Sequence, residues 1–426
     1  MMVCAAQMGV ALAQADWTQA RREIHDNILL CSSNFTAYVD PAPDYRLTRA
    51  PKGYEPFYMT HYGRHGSRWM CGDNEYTDVI NPLREAREKG KLTAEGLKLL
   101  ADLEEFHKGC YKRIGDLTTV GERQHHRIGR RMTERFPEIF GAKNSQVHAR
   151  STTVIRCILS MEAECEELTA FNPRLKIHND VSDSFQYYLN GPSGRLVNEG
   201  TRKRGDVVER YREKWVHPER FCSVIFNDPE YVRDNVNQSR LMRRTFNVCC
   251  NMQSHDDGLD LWHYFTEEEC YDIWRTINLD WYTNFAAAPL TDGVGPHRQD
   301  NLLRNFLETA DTIVGSKTFR GATLRFGHET CVMPMAALLE LGEAGAEVEN
   351  LDTLDRVWAN YRIFPMASNI QLIFYRPKKN RKGDILVKAL LNEREVSMPA
   401  TPVQYPYYRW EDLKAYYKSK LELAIN

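Results

Sequence analysis

Apolar positions along this chain follow two periods in turn. The runs 57–59, 146–150 and 322–326 are short and apolar or alternating, and each leads into a turn carrying Gly, Ser or Thr, which reads as a buried strand. Segments with helical spacing lie between them: 16–30, 76–89, 93–109, a basic helix ending near Pro137, one ending near 171, 300–314 and 410–423. Thr93 is the expected N-cap of the 93–109 helix, with Glu95 and Glu104 on its polar face. A helix over 333–341 accommodates Pro334 near its start. Two strands, 369–376 and 385–391, read as a hairpin around the polar run 378–383. Between 172 and 296 the chain is aromatic, charged and helical, with no strand alternation. The pattern predicts an α/β fold: a mostly parallel central sheet flanked by helices, with an inserted all-helical cap. The expected divisions are a leader remnant (1–15), a first α/β part (16–171), the cap (172–296) and a second α/β part (297–426).

Composition narrows the function. A chain of 426 residues that is 42% hydrophobic has ample core. Lys and Arg number 56 against 58 acidic residues, a net charge of −2, so no global basic field points to nucleic acid. Eleven cysteines are scattered without a CxxC, which argues against zinc ribbons and thioredoxin-like redox sites. The apolar stretch 3–13, followed by Ala13-Gln14-Ala15, resembles a secretory h-region with its cleavage site, which predicts an exported, periplasmic or secreted protein. No later run reaches the roughly 18 apolar residues of a membrane span.

The strand-to-helix junctions carry the chemistry. After 57–59 comes Arg64-His65-Gly66-Ser67-Arg68, where two glycine-permitted bends place a histidine between forked cationic donors suited to phosphate or carboxylate oxygens. A neutral imidazole held at one nitrogen is a nucleophile toward a phosphoryl group cradled in this way, which makes His65 the candidate for attack. After 146–150, Ser151-Thr152-Thr153-Val154-Ile155-Arg156 enters a helix whose free N–H groups favour an anion; Arg156 is the candidate cation and Arg150 its competitor. After 322–326 comes Gly327-His328-Glu329-Thr330. In a parallel sheet these junctions share the carboxyl edge, where ligands bind. His125 and His126 are adjacent on a helix and point about 100° apart, which is wrong for chelation.

These residues carry a resemblance. Arg64-His65-Gly66-Ser67-Arg68 is similar to the signature of the histidine phosphatase superfamily, and His328-Glu329-Thr330 to the histidine-plus-acid element of its acid phosphatase and phytase branch. Leu117-Thr118 with Gly121 and Gln124, Arg156 with Ser160, and Met366-Ala367-Ser368-Asn369-Ile370-Gln371-Leu372 resemble the same branch, in order and across most of the chain. Arg156-Cys157 with Ser160, Asn179-Asp180, and Phe326-Gly327-His328 followed by Pro334 look most like the multiple inositol polyphosphate phosphatases. Met70 departs from the family's usual proline, and Glu329 follows His328 directly, where those phosphatases place an alanine between them. The resemblance implies a phosphomonoesterase working through a phosphohistidine on His65. Arg64, Arg68, Arg156 and His328 would bind the phosphoryl oxygens and Glu329 would act as proton donor, with Asp180 or Asp183 as alternative acids. It implies no metal and no cofactor, and a small phosphorylated substrate, phytate foremost. Candidates for the distal phosphates are Lys52, Arg202, Lys203, Arg204, Arg298 and Arg325. The rival readings are a broad-specificity phosphatase of sugar phosphates, a phosphoglycerate mutase-like transferase and a non-catalytic phosphate binder.

Overall fold

The computed structural model describes residues 17–191, 195–316, 318–378 and 383–423. The expected leader, 1–15, and most of the 378–383 turn lie outside them. Eight strands form one sheet: β1 (Tyr54–Arg64), β2 (Gln146–Ser151), β3 (Lys176–Val181), β4 (Gly321–Gly327), β5 (Asn369–Pro377), β6 (Leu386–Leu391), β7 (Arg394–Val396) and β8 (Tyr408–Arg409). The principal helices are α1 (Gln19–Asp26), α2 (Asn74–Glu88), α3 (Ala94–Lys108), α4 (Thr119–Arg135), α5 (Ile155–Phe171), α6 (Val207–Trp215), α7 (Gln238–Asn251), α8 (Glu267–Phe285), α9 (Asp300–Gly315), α10 (Glu329–Leu338) and α11 (Trp410–Leu423).

The strand order is β3-β2-β4-β1-β5-β6-β7, with β8 on β6. The first four strands are mutually parallel and the remaining pairings are antiparallel. Because β6 is antiparallel to β5, which opposes β1, β6 runs with the parallel set, and the sheet is mostly parallel in strand direction. Tyr58 and Tyr62 face one side of the sheet, where α8, α9 and α10 pack; Met59 and Phe326 face the other, against α4 and α5. A third apolar cluster joins α1, α2 and α3 to α7 and the front of α8, away from the sheet. Among the described residues no helix is long and apolar enough to cross a membrane.

Two elements differ from the sequence reading. Residues 176–181, expected within the all-helical cap, form β3 at the sheet edge; only Ile177 and Val181 of the strand pack on the core, while Lys176, His178, Asn179 and Asp180 are exposed. The late helix begins at Glu329, so Pro334 lies in its interior. A proline lacks the N–H that would bond the carbonyl four residues back, here that of Thr330. Gln299 Nε2 donates to that carbonyl at 3.4 Å and fills the vacancy.

Candidate active site

Register places the junctions together. Arg64 pairs with Gly327 across β1 and β4, and Ser151 with Phe326 across β2 and β4, so residues 65–68, 152–156 and 328–329 leave the sheet at one carboxyl edge. The loop after β1 is held by backbone and by two side chains that the sequence motifs contained. His65 N donates to Gly327 O at 3.0 Å, and Ala367 N, in a left-handed residue with φ 55°, donates to His65 O at 3.0 Å. Gly66 N donates to Ser160 Oγ at 3.1 Å; Gln124 accepts from Ser67 N at 2.9 Å and donates to Ser67 Oγ at 3.1 Å. A Cβ on Gly66 would lie 2.4 Å from Gly121 O, and one on Gly121 would lie 2.2 Å from Ser67 O, so the loop and the start of α4 interlock only as glycines. Met70, standing where the family's proline is usual, donates its N–H to Tyr76 at 3.3 Å.

Arg64 is fully buried. Its Nη1 donates to Asn34 O at 2.7 Å and Phe364 O at 3.0 Å, while Nε and Nη2 have no hydrogen-bond partner. The same is true of Arg68 Nε, Arg156 Nε and His65 Nε2, all buried. Arg68 Nη1 is anchored on Trp69 O at 2.9 Å and Arg156 Nη1 on Gly115 O at 3.3 Å. Buried donors without acceptors are costly, and several converging on one place describe a cradle for an oxyanion.

His65 Nδ1 lies 2.8 Å from Gly66 O. A carbonyl only accepts, so Nδ1 carries the proton and Nε2 presents its lone pair to the pocket. Burial, reinforced by Arg64, holds the His65 pKa well below the ordinary histidine value, and the ring stays neutral. His328 stands 5.7 Å away, ring centre to ring centre and edge to face, with Nε2 at 3.4 Å from Thr152 Oγ1 and the Cys157 sulfur against its ring. Its pKa is pushed down to about 4, first by burial and then by Arg156 and Arg64, against the opposing Glu329.

Glu329 opens α10 and reaches back into the cradle, with Oε2 at 3.1 Å from Arg64 Nε and 3.5 Å from His65 Nε2. Burial alone would raise its pKa, but the Arg64 guanidinium, with Arg68 behind it, outweighs burial and holds the carboxyl well below the usual range. The carboxylate thus lies against the guanidinium face of the cradle. His65, His328 and Glu329 offer ligand atoms within 4.8 Å of one another, a set able to chelate a cation. Three guanidinium groups beside them make the same space favourable to an anion.

Other expected residues lie elsewhere. Arg150 donates to Tyr188 and stacks over Phe185 at 4.2 Å, which leaves Arg156 as the guanidinium beside His65. Asp180 is exposed on β3, and Asp183 lies in the short 3-10 turn just after it. Lys52 precedes β1, at the edge opposite the site; the eleven residues of that strand span roughly 35 Å, beyond reach of a ligand at His65. Arg325 is buried against α9, donating to Asn305, Thr60 and Thr309, and faces away from the pocket. Lys203 pairs with Asp292, Arg204 with Asp280, and Arg298 is held by Asn284, while Arg202 is exposed at a helix end. The sequence reading did not single out Asn34 and Phe364, whose carbonyls aim Arg64; backbone acceptors leave no signature in residue type.

No family model and no curated protein matches this chain in sequence. Solved structures match in fold. The multiple inositol polyphosphate phosphatase of Bifidobacterium longum, in complex with inositol hexasulfate, superposes with a TM-score of 0.70 at 19% identity, covering 90% of this chain and 96% of its own. The phytase of D. castellii gives 0.67 at 14% identity, covering 93% and 86%. The Hafnia alvei phytase gives 0.55 at 12% identity, covering 88% and 99%. The chain thus shares, over nearly its whole length, the fold of multiple inositol polyphosphate phosphatases and phytases.

Proposed function

We propose that the chain is a histidine phosphatase of the acid phosphatase and phytase branch, which hydrolyses phosphomonoesters through a phosphohistidine on His65. The observation that carries this reading is the set of buried, unpartnered guanidinium nitrogens on Arg64, Arg68 and Arg156 around a neutral His65 whose free nitrogen faces them. A phosphoryl group seated there puts its phosphorus before Nε2, and the arginines with His328 offset charge on its oxygens as the bond to the leaving group breaks. Glu329, displaced from Arg64 by the incoming anion and lying beside its negative charge, takes up a proton. It then delivers that proton to the leaving alkoxide and recovers one from the water that hydrolyses the phosphohistidine.

Inositol polyphosphates, phytate foremost, are the proposed substrates. Support comes from the fold shared with phytases and with a phosphatase that binds inositol hexasulfate. The helices following β3 are, in this reading, the cap that shapes the outer pocket, and the chain is exported. The test is phosphate release from phytate, from a sugar phosphate and from an aryl phosphate, combined with rapid acid-free quenching to trap labelled phosphohistidine. Phytate turnover with a trapped adduct, both lost in His65→Ala, is expected. Turnover that survives in His65→Ala refutes the mechanism, and preference for the sugar phosphate refutes the substrate.

A further inference from the structure

Away from the active edge, α6 and α7 enclose a cavity of about 300 Å³, at the lower end of the range that holds small ligands. Arg212 of α6 and Arg243 of α7 both line it, and the Nε of each is buried without a hydrogen-bond partner. Among the described residues Arg243 makes no ion pair or hydrogen bond at all. Arg212 spends one nitrogen, Nη1, on Glu209. The outer Arg240 of the same wall is neutralised by Asp78 at 2.8 Å. Burial, and then the charge of Arg212, pushes the Arg243 guanidinium below its ordinary pKa, against the opposing Asp280. Arg243 thus brings a guanidinium without a partner beside a second one that keeps only one nitrogen on a carboxylate, an arrangement that a bound anion would stabilise. Glu209 and Glu213 also line the cavity; Glu209 holds Arg212 Nη1, and Glu213 forms no ion pair with either arginine.

We propose that this cavity is a second anion site, built for one phosphate group, with the forks of Arg212 and Arg243 as donors and Ser239 at its rim. The fork of Arg243, joined by the Arg212 nitrogens that Glu209 leaves free, matches the paired oxygens of a phosphate, free or esterified, better than a single carboxylate or a halide. The site is separate from the catalytic cradle but shares a helix with it: at the far end of α7, Asn251 Nδ2 donates to Arg68 O at 2.9 Å, eight residues or about 12 Å beyond Arg243.

Calorimetric titration of the intact protein with orthophosphate, and separately with glycerol phosphate, tests this. The intact protein should bind two orthophosphates. An Arg68→Gln variant should keep the site at Arg243, and Arg243→Gln should keep only the catalytic one. Removing either fork should weaken the second site by roughly tenfold or more, since each supplies charge-assisted hydrogen bonds. Arg212→Gln serves as an independent variant, and aryl phosphate turnover at low phosphate should stay within about twofold of the parent in both. Binding of orthophosphate alone assigns the site to free phosphate, and binding of both ligands assigns it to monoesters. A folded Arg243→Gln protein that still binds two phosphates, or an Arg68→Gln protein that binds none, overturns the proposal. Neither result depends on whether the chain hydrolyses phytate.

Discussion

Replacing Glu329 with Gln should tighten phosphate binding while slowing turnover, a combination peculiar to an acid that fills its own substrate's place. The carboxylate lies 3.1 Å from Arg64 Nε, and on the proposed mechanism this contact must break before a phosphoryl oxygen takes that nitrogen. A contact of a charged group is worth about 1.5–3 kcal/mol, and this one lacks hydrogen-bond alignment, so the lower figure applies. About 1.4 kcal/mol is a factor of ten, so orthophosphate should inhibit Glu329→Gln at roughly one tenth of the parent concentration near neutral pH. In the parent, Glu329 is ionised when the pocket is empty and protonated when it is full, so binding takes up a proton and affinity rises as pH falls, by up to about tenfold per unit. The glutamine variant lacks this uptake, and comparing the two proteins cancels the titration of phosphate itself. Competitive inhibition constants from pH 4 to 8, with proton uptake measured in buffers of different ionisation enthalpy, provide the assay. Turnover of alkyl phosphates should fall by about 10²–10⁴, the share of a general acid, and that of an activated aryl phosphate by much less. Unchanged or weaker phosphate binding in Glu329→Gln, or equal losses on the two substrate types, would refute the reasoning.

The parent's turnover should peak from mildly acid to near-neutral pH, because Glu329 must be protonated in the complex while His65, its pKa depressed, stays neutral well into acid; a rate still climbing above pH 8 contradicts this. Gly66→Ala puts a methyl group 2.4 Å from Gly121 O and should cost about 1–3 kcal/mol in denaturant melts, with turnover lost beyond what the unfolded fraction explains. His61 is buried with both ring nitrogens unpartnered and its pKa driven down to about 3, mainly by burial. Its neutral form stabilises the fold fully above its ordinary value of 6.5, and that stability drains away as pH falls toward 3, by about 1.4 kcal/mol per unit. His61→Phe should flatten this slope in acid denaturation series, and an unchanged slope would place the effect elsewhere. Gln299→Ala should cost about 1 kcal/mol by freeing the Thr330 carbonyl, and close to nothing in a Pro334→Ala background, where the restored N–H takes its place.

The elements that could be read in the sequence were those whose burial is one-sided or complete. Apolar spacing placed α2, α3, α9 and α11 to within a few residues, and the β5–β6 hairpin as well. It shortened β1 to three residues, although the strand runs from Tyr54 to Arg64, because Thr60, His61 and Arg64 are polar yet fully buried. Partners explain two of the three: Thr60 accepts from Arg325 and Arg64 is held by carbonyls from two distant segments, whereas His61 has none and is buried as a neutral ring. Period counting treats a polar residue as a surface residue, so it fails where long-range partners permit burial. The strand β3 escapes the pattern for the opposite reason: at an exposed edge only Ile177 and Val181 pack inward, two apolar residues too few to mark an alternation.

The site shows the same division at finer scale. The residues proposed to bind the phosphoryl group sit in short, local strings, so Arg64, His65, Arg68 and His328 stand out from the chain. What tunes them is assembled across distance: Gln124 and Ser160 pin the loop from two helices, and Gly121 yields the room that Gly66 enters. The lone pair on His65 depends on this assembly, since Nδ1 finds the Gly66 carbonyl only while the loop keeps its bend. The nucleophilicity proposed for His65 would therefore be a property of the interlock between the β1 loop and α4. It follows that damage to Gly121, which touches no substrate atom, should reduce the attack of His65 as severely as damage to the phosphate-binding arginines.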